Sequence, residues 1–339
     1  EYLPLNRGVN AVVNIDLREV VARMDFNSND IQVYPPGPGF PALRQAINDE
    51  YFGGRSSPDN ILISAGGMNA LDLVVQAVGM GKLYLPVYYW GCYFQMLTVR
   101  GIGNAEYLAQ SDLEGMIPEL QGNAVLICDP GNPLGEKYDD EEQFALIRKL
   151  NDAGITVFFD SPYRRIFHDR TDDYYQRLMA LENVIITESF SKSVGLSGQR
   201  LGFIHTTNRE LHDELEVRLM YCTNGVNAFA QQLILRLLTT PEGIRAASDF
   251  KAATARDIAR NIEYLKERGL LAGEFYHAST PKGIFVVVNR TEEELLAHRI
   301  GSVSLSFFTK SRKEEASKYA RICVSAPHEK FVTYFDRVK

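Results

Sequence analysis

The sequence predicts an α/β protein with a mostly parallel sheet in a large domain and a second, smaller α+β domain. Three observations carry this. Short, nearly continuous apolar runs rich in β-branched residues recur along the first two thirds of the chain. Helical patterns separate them, and such strands alternating with helices imply a parallel sheet covered on both faces. After residue 207 the texture changes to long helical patterns followed by two more strand-like runs.

In chain order, YLPLNRGVNAVVN (2–14) is too short to stand alone and is expected to join the smaller domain. Strands are expected at NILIS (60–64), KLYLP (82–86), AVLICD (124–129), ITVFFD (155–160), VIITES (184–189) and LGFIHT (201–206). Helices are expected at 68–79, 88–101 and 139–154, the last opening on a solvated acidic run, DDEEQ, that suits a helix N-terminus. Two long helices follow, near 210–232 and 242–267, then strands at GIFVVVN (283–289) and YARICVSA (319–326). KSRKEEASK (310–318) reads as an exposed mixed-charge helix. The expected division is a large domain over 31–245 and a small domain from 1–30 with 246–339. No repeat or low-complexity segment interrupts this plan.

The formal net charge of −7 argues against a nucleic-acid partner. No apolar run reaches membrane-spanning length and no basic-then-apolar leader opens the sequence, so no membrane association is expected. Cys92, Cys128, Cys222 and Cys323 are scattered beside apolar segments and read as buried, reduced thiols of a cytoplasmic enzyme. The six histidines lack metal-ligand spacing, so no metal is expected.

Parallel sheets place binding residues just past the carboxyl ends of their strands. After ILIS comes AGGMNA, a glycine turn opening a helix, whose free N–H groups and positive helix end make a phosphate seat. After AVLICD comes PGNPLG with Asn132; Asp160 ends the next strand, with Tyr163 three residues on. A carboxylate ending an apolar strand needs a cation or donor. VIITES leads into FSK, bringing Lys192 to the same edge, and Arg200 precedes LGFI. This rim fits a phosphorylated cofactor that forms a Schiff base with lysine and needs a carboxylate on a ring nitrogen, namely pyridoxal 5′-phosphate.

On these residues the sequence resembles the fold-type I pyridoxal-phosphate enzymes, specifically the class I/II aminotransferases. SFSKSVGLSGQRLG is similar to the family's S-x-S-K-x-x-G-L-x-x-x-R-x-G signature, DPGNPLG to its N-P-x-G loop and DSPY to its D-x-x-Y. The resemblance spans nearly the whole chain and implies an aspartate-aminotransferase-like fold with a seven-stranded sheet. It implies that Lys192 holds the cofactor as an internal aldimine and moves the substrate proton, that Asp160 pairs with the ring nitrogen, and that Asn132 and Tyr163 hydrogen-bond the ring oxygen. Ser189, Arg200 and the N–H groups of Gly67 and Met68 would hold the phosphate. Trp90 is the favoured ring-stacking aromatic, because WGCY resembles W-x-N-H; Tyr88 is the alternative. YARICVSA resembles the strand whose arginine, here Arg321, grips the substrate α-carboxylate, and Asn132 would assist. Asn6 and Gly8 would line the substrate pocket. Tyr34, in VYPPGPGFPALRQAI, would reach the phosphate of a neighbouring subunit, which implies a homodimer with shared active sites. Leu134 departs from the usual Thr or Ser, and Gly67-Met68 from the usual small-plus-hydroxyl pair.

The implied activity is transfer of an amino group from an α-amino acid to a 2-oxo acid. A β-lyase or decarboxylase on the same machinery is the alternative, and a ligand-sensing domain of a transcriptional regulator is a further one. Aromatic residues in the expected pocket lean toward neutral or aromatic substrate side chains.

Overall fold

In the computed structural model, which describes residues 2–338, seven strands form the central sheet. They are β1 (Ile61–Ser64), β2 (Lys82–Pro86), β3 (Gly103–Tyr107), β4 (Ala124–Cys128), β5 (Thr156–Asp160), β6 (Val184–Ser189) and β7 (Gly202–His205). Their spatial order is β1-β7-β6-β5-β4-β2-β3, and only β7 runs antiparallel to its neighbours. β1, β4 and β6 are buried along their whole length, as apolar runs sandwiched between helices must be. Six of the seven coincide with expected runs. β3, GNAEY, was not expected, and it is the edge strand, pairing only with β2 and mostly outside the core.

Register levels the carboxyl ends of the central strands. Cys128 lies opposite Asp160, Asp160 opposite Thr187, and Ser189 opposite Gly202. The chemistry-bearing residues that follow these strands therefore emerge on one edge.

A second, antiparallel sheet holds β8 (Phe285–Val288), β9 (Val303–Ser304) and β10 (Ala320–Cys323), with β10 in the middle. The N-terminal segment joins this part of the molecule. Leu3–Pro4 pairs in parallel with Ile300–Gly301, Cys323 donates its N–H to Leu5 O, and Ala11 donates to Ser325 O.

Several expectations are corrected. The helix expected over 210–232 is two helices, Arg209–Thr223 and Ala228–Thr239. Asn224 and Gly225 separate them in left-handed conformations, φ 49° and 98°, with the Asn224 N–H closing on Met220 O. The following helix, Pro241–Glu267, matches the one expected over 242–267. In 310–318 only Lys313–Ala316 is helical. Of the cysteines, Cys128 and Cys323 are buried but Cys92 is half-buried and Cys222 exposed; all four are free thiols.

The DDEEQ run is only partly solvated. Asp139 caps the helix Asp140–Asp152, accepting from the N–H groups of Glu141 and Glu142. Asp140 instead turns inward to Lys137 (2.6 Å) and Arg164 (2.8 Å). Lys137 also meets buried Asp129 at 3.0 Å, and Arg164 meets Asp172 at 2.7 Å. Burial works against ionising Asp140, but its hydrogen bonds from Arg164 and Lys137 hold it well below the usual carboxylate range. This network braces the 129–138 segment that carries Asn132.

Candidate active site

A cavity of about 750 Å³ opens at the levelled strand ends, between the central sheet and the smaller sheet. Asn6, Gly8, Gly67, Met68, Trp90, Asn132, Asp160, Tyr163, Ser189, Lys192, Arg200 and Arg321 all line it. Of the expected site residues only Tyr34 is elsewhere: it is 82% exposed on the surface. Tyr88, the alternative to Trp90, does not line the cavity; its ring is buried edge-on against Phe275 at 5.5 Å.

The floor is Asp160, 4% exposed at the end of β5. Burial pushes its carboxyl up to about 6, against the pull of hydrogen bonds from Tyr93 Oη (2.5 Å) and Thr187 Oγ1 (3.0 Å). No cation lies within ion-pair distance of it among the described residues, so the site leaves it a carboxylate in want of a positive partner.

Lys192 sits in a single helical turn, Phe190–Ser193, directly after β6. Ser189 caps this turn, its Oγ accepting from Ser191 N at 3.2 Å. Lys192 Nζ donates to Gly8 O, and Asn10 Nδ2 donates to Lys192 O at 2.5 Å. The N-terminal segment and the turn after β6 thus meet at the lysine. Burial lowers its affinity for a proton, and Arg200 and Arg321 nearby add to that, with the Cys323 thiol opposing. A Cβ at Gly8 would lie 2.5 Å from Phe285 Cζ, so a larger residue there would displace that ring.

One wall is the N-terminus of the helix Gly67–Ala77, which no side chain caps. Gly66 precedes it at φ 86°, and a Cβ there would meet Arg200 Nη2 at 2.7 Å. Arg200, itself left-handed at φ 51°, therefore lies directly over the glycine turn, with Ser189 Cβ against Gly67. Uncapped N–H groups, a guanidinium and a hydroxyl converge as a phosphate seat requires.

On the other side Arg321, from β10, is 5% exposed. Its guanidinium carbon lies 4.2 Å from the Phe285 ring centre and 4.8 Å from that of Phe308. Nη2 donates to Asn6 O at 2.6 Å and Nη1 to Asn132 Oδ1 at 3.4 Å, while Nε has no partner. Burial lowers its pKa to about 10. Among the described residues no carboxylate pairs with it, so it offers a buried, unmatched positive fork. Asn132 bridges onward, Nδ2 to Tyr163 Oη at 3.5 Å.

Thr187, Phe285, Tyr93 and Phe308 escaped the sequence reading as site residues. Tyr93 lies one helical turn after Trp90, a spacing that could have flagged it. Phe308 comes from the 3₁₀ segment Leu305–Phe308, which carries no motif. Away from the cavity, His212 Nδ1 lies 3.6 Å from Asp213 and 4.0 Å from Glu216; Asp213 is already paired with Arg209 at 2.9 Å.

The fold is shared with solved aminotransferases. Aspartate aminotransferase from Thermus thermophilus with maleate superimposes with a TM-score of 0.82 at 19% identity, covering 100% of this chain and 92% of that one. Aromatic aminotransferase from Pyrococcus horikoshii gives 0.81 at 19% identity, covering 99% and 94%. The sequence profile described as "Aminotransferase class I and II" matches residues 2–335, and the chain belongs to that family. Its members use pyridoxal phosphate. A histidinol-phosphate aminotransferase from Christiangramia forsetii is 27% identical over 232 residues, 65% of this chain and 62% of the relative. An LL-diaminopimelate aminotransferase from Chlamydia pneumoniae is 31% identical over 179 residues, 50% and 45%. The chain thus matches less than two thirds of the length of either curated relative. No helix among the described residues is long and apolar enough to cross a membrane.

Proposed function

We propose that the protein is a pyridoxal-phosphate-dependent aminotransferase that moves the amino group of an α-amino acid to a 2-oxo acid. The observation that carries this is one cavity holding a desolvated lysine, a buried carboxylate without a cation and a buried guanidinium without an anion. Those are the complements of a carbonyl, a ring N–H and a substrate carboxylate.

The residues fit the cofactor. Asp160 would hold the ring nitrogen, Asn132 and Tyr163 the ring oxygen, and Trp90 the ring face. Ser189, Arg200 and the N–H groups of Gly67 and Met68 would hold the phosphate. When bound, pyridoxal phosphate supplies an electron sink that weakens the bonds at the substrate's Cα.

The protein's own groups do the rest. Arg321 takes the α-carboxylate bidentately, with Asn132 beside it and Gly8 shaping the pocket, and so fixes the orientation of Cα. Lys192 Nζ would anchor the cofactor and would carry the Cα proton of the substrate. Desolvation favours its neutral form, the only form that accepts a proton. The rings of Phe285 and Phe308 keep water off Arg321.

Tyr34 is proposed to serve the phosphate of a second copy of the chain. Its exposure, next to exposed Val33 and with exposed Val217, Met220 and Tyr221 nearby on the helix that meets Gly37, supports a homodimer with shared sites. Residues 31–245 are proposed as the large domain, and 1–30 with 246–339 as the small one. Four free thiols suit the cytoplasm.

Titrating the cofactor-loaded protein with amino acids tests the reading. Conversion to the pyridoxamine form, reversed by a 2-oxo acid, supports amino transfer. Release of ammonia or carbon dioxide without that conversion supports a lyase or decarboxylase.

A further inference from the structure

We propose that the amino donor is an α-amino acid whose side chain ends in an anion, a carboxylate or a phosphate, read at the cavity mouth by Lys310 and Lys313 together with Arg7. The inference rests on the amino-transfer reading above and names its substrate class.

Six cationic side chains line the cavity, Arg7, Lys192, Arg200, Lys310, Lys313 and Arg321, and among the described residues Asp160 is the only carboxylate that does. Three of the cations are matched by the reading above. Arg200 lies over the phosphate seat, Arg321 faces the α-carboxylate, and Lys192 is desolvated toward its neutral form. Asp160 is matched by the ring nitrogen. Arg7, Lys310 and Lys313 remain without an anion, and a bound amino acid closes that balance only if its side chain carries one. A cationic side chain would be repelled, and an uncharged one would leave the positive potential unanswered.

The three residues come from two segments that the fold brings to the mouth. Arg7 sits between Asn6 and Gly8, whose carbonyl oxygens accept from Arg321 Nη2 and Lys192 Nζ. Lys310 and Lys313 follow the 3₁₀ segment that sets Phe308 against Arg321. That segment is tied to the far ends of β2 and β3: Tyr89 N–H donates to Phe308 O at 2.9 Å, and Lys310 N–H to Glu106 Oε1 at 3.4 Å. Lys310 Nζ lies 4.1 Å from the centre of the Phe94 ring, on the helix Gly91–Arg100 that Trp90 opens. Its ammonium thus reaches across to the Trp90 side of the cavity and rests on a ring face instead of a carboxylate. The acids nearby are engaged elsewhere. Glu106 accepts from the Lys310 N–H and the Ser311 hydroxyl, and Glu315 pairs with Arg312 at 3.5 Å. Tyr89, Phe94 and Phe307 supply the aromatic lining on which the expectation of neutral or aromatic side chains rests, but the charges beside them are all positive. Arg7, Lys310 and Lys313 are exposed, so water and salt screen them and each contributes modestly.

The test titrates the cofactor-loaded protein with three pairs, each an anion and its uncharged counterpart: aspartate and asparagine, glutamate and glutamine, phosphoserine and serine. The rate of pyridoxamine formation gives a ratio of kcat/KM for each pair. At least one anion should exceed its counterpart by about tenfold at low salt, and that ratio should shrink as salt rises from about 0.01 M to about 0.15 M. The pair with the largest ratio tells a carboxylate from a phosphate. Lys310→Gln and Lys313→Gln should each lower the ratio about threefold and the double variant about tenfold, whereas Lys310→Arg should keep it. Ratios near one for every pair in wild type, or a ratio unchanged in the double variant, overturn the inference and leave amino transfer standing. Binding gives a second readout. Trp90 is the single tryptophan of the chain and lines the cavity, so its fluorescence reports the binding of succinate against its half-amide, succinamate, neither of which carries an amino group. Succinate should bind more tightly, and the double variant should lose that preference. Equal binding of the two in wild type overturns the anion site. No conversion by any of the six amino acids, with succinate still preferred, supports the anion site and counts against amino transfer itself.

Discussion

Replacing Arg321 separates function from stability, because activity should fall steeply while folding hardly changes. The guanidinium is buried between Phe285 and Phe308 and meets only Asn6 O and Asn132 Oδ1, with no carboxylate to neutralise it. Arg321→Met keeps the apolar contacts and removes the charge. Losing a bidentate, charge-assisted contact with the substrate carboxylate should cost about 2–3 kcal/mol, roughly 30- to 150-fold in kcat/KM. Folding should change little. Two hydrogen bonds are lost, one of them long, but an unpaired buried charge is relieved, so the net is about 1 kcal/mol of either sign. For a chain of this size that moves the thermal midpoint by only about 2–4 °C. Arg321→Lys should fall between wild type and Arg321→Met in kcat/KM, since an ammonium cannot match both oxygens. The assays are steady-state kinetics with an amino donor and thermal unfolding of the same preparations. Full activity in Arg321→Met, or its collapse at room temperature, would refute the argument.

Other consequences follow from the same geometry. Asp160 titrates near 6 in the folded protein against 3.8 as a free side chain, so the folded state holds the extra proton between those values. Raising the pH through that window therefore destabilises the cofactor-free wild type by up to about 3 kcal/mol, a penalty Asp160→Asn escapes. Urea midpoints should favour Asp160→Asn at pH 7 more than at pH 4; a pH-independent difference would contradict this. Tyr34→Ala and Lys192→Ala, each inactive or weak alone, should regain activity when unfolded together and refolded as mixed dimers. About a quarter of sites would then be intact, since one hybrid site carries both substitutions and the other neither. Mixed samples no more active than the average of the parents would argue against a shared site.

The legibility of this protein follows burial. Six strands of the central sheet were readable because each carries an apolar, largely buried run, whereas β3 carries Gly, Asn and Glu at an edge and left no pattern. The break at Asn224-Gly225 was available in TNG but was overridden by the apolar periodicity on both sides. At the site, single residues on strand ends could be picked out by position. The contacts between side chains could not, because they join distant segments: Lys192 to Gly8, Arg321 to Asn132, Tyr93 to Asp160. The inward turn of Asp140 was hidden for the same reason; its partner Arg164 lies on another helix, and both are charges that ordinarily face water.

The central claim is that Lys192 carries the cofactor covalently. Borohydride reduction of the cofactor-loaded protein, followed by peptide mass mapping, tests it most directly. A single pyridoxyl adduct is expected on the peptide containing Lys192, and none on Lys192→Ala. An adduct on another lysine, such as half-buried Lys251, or loss of all cofactor on denaturing the reduced protein, would contradict it.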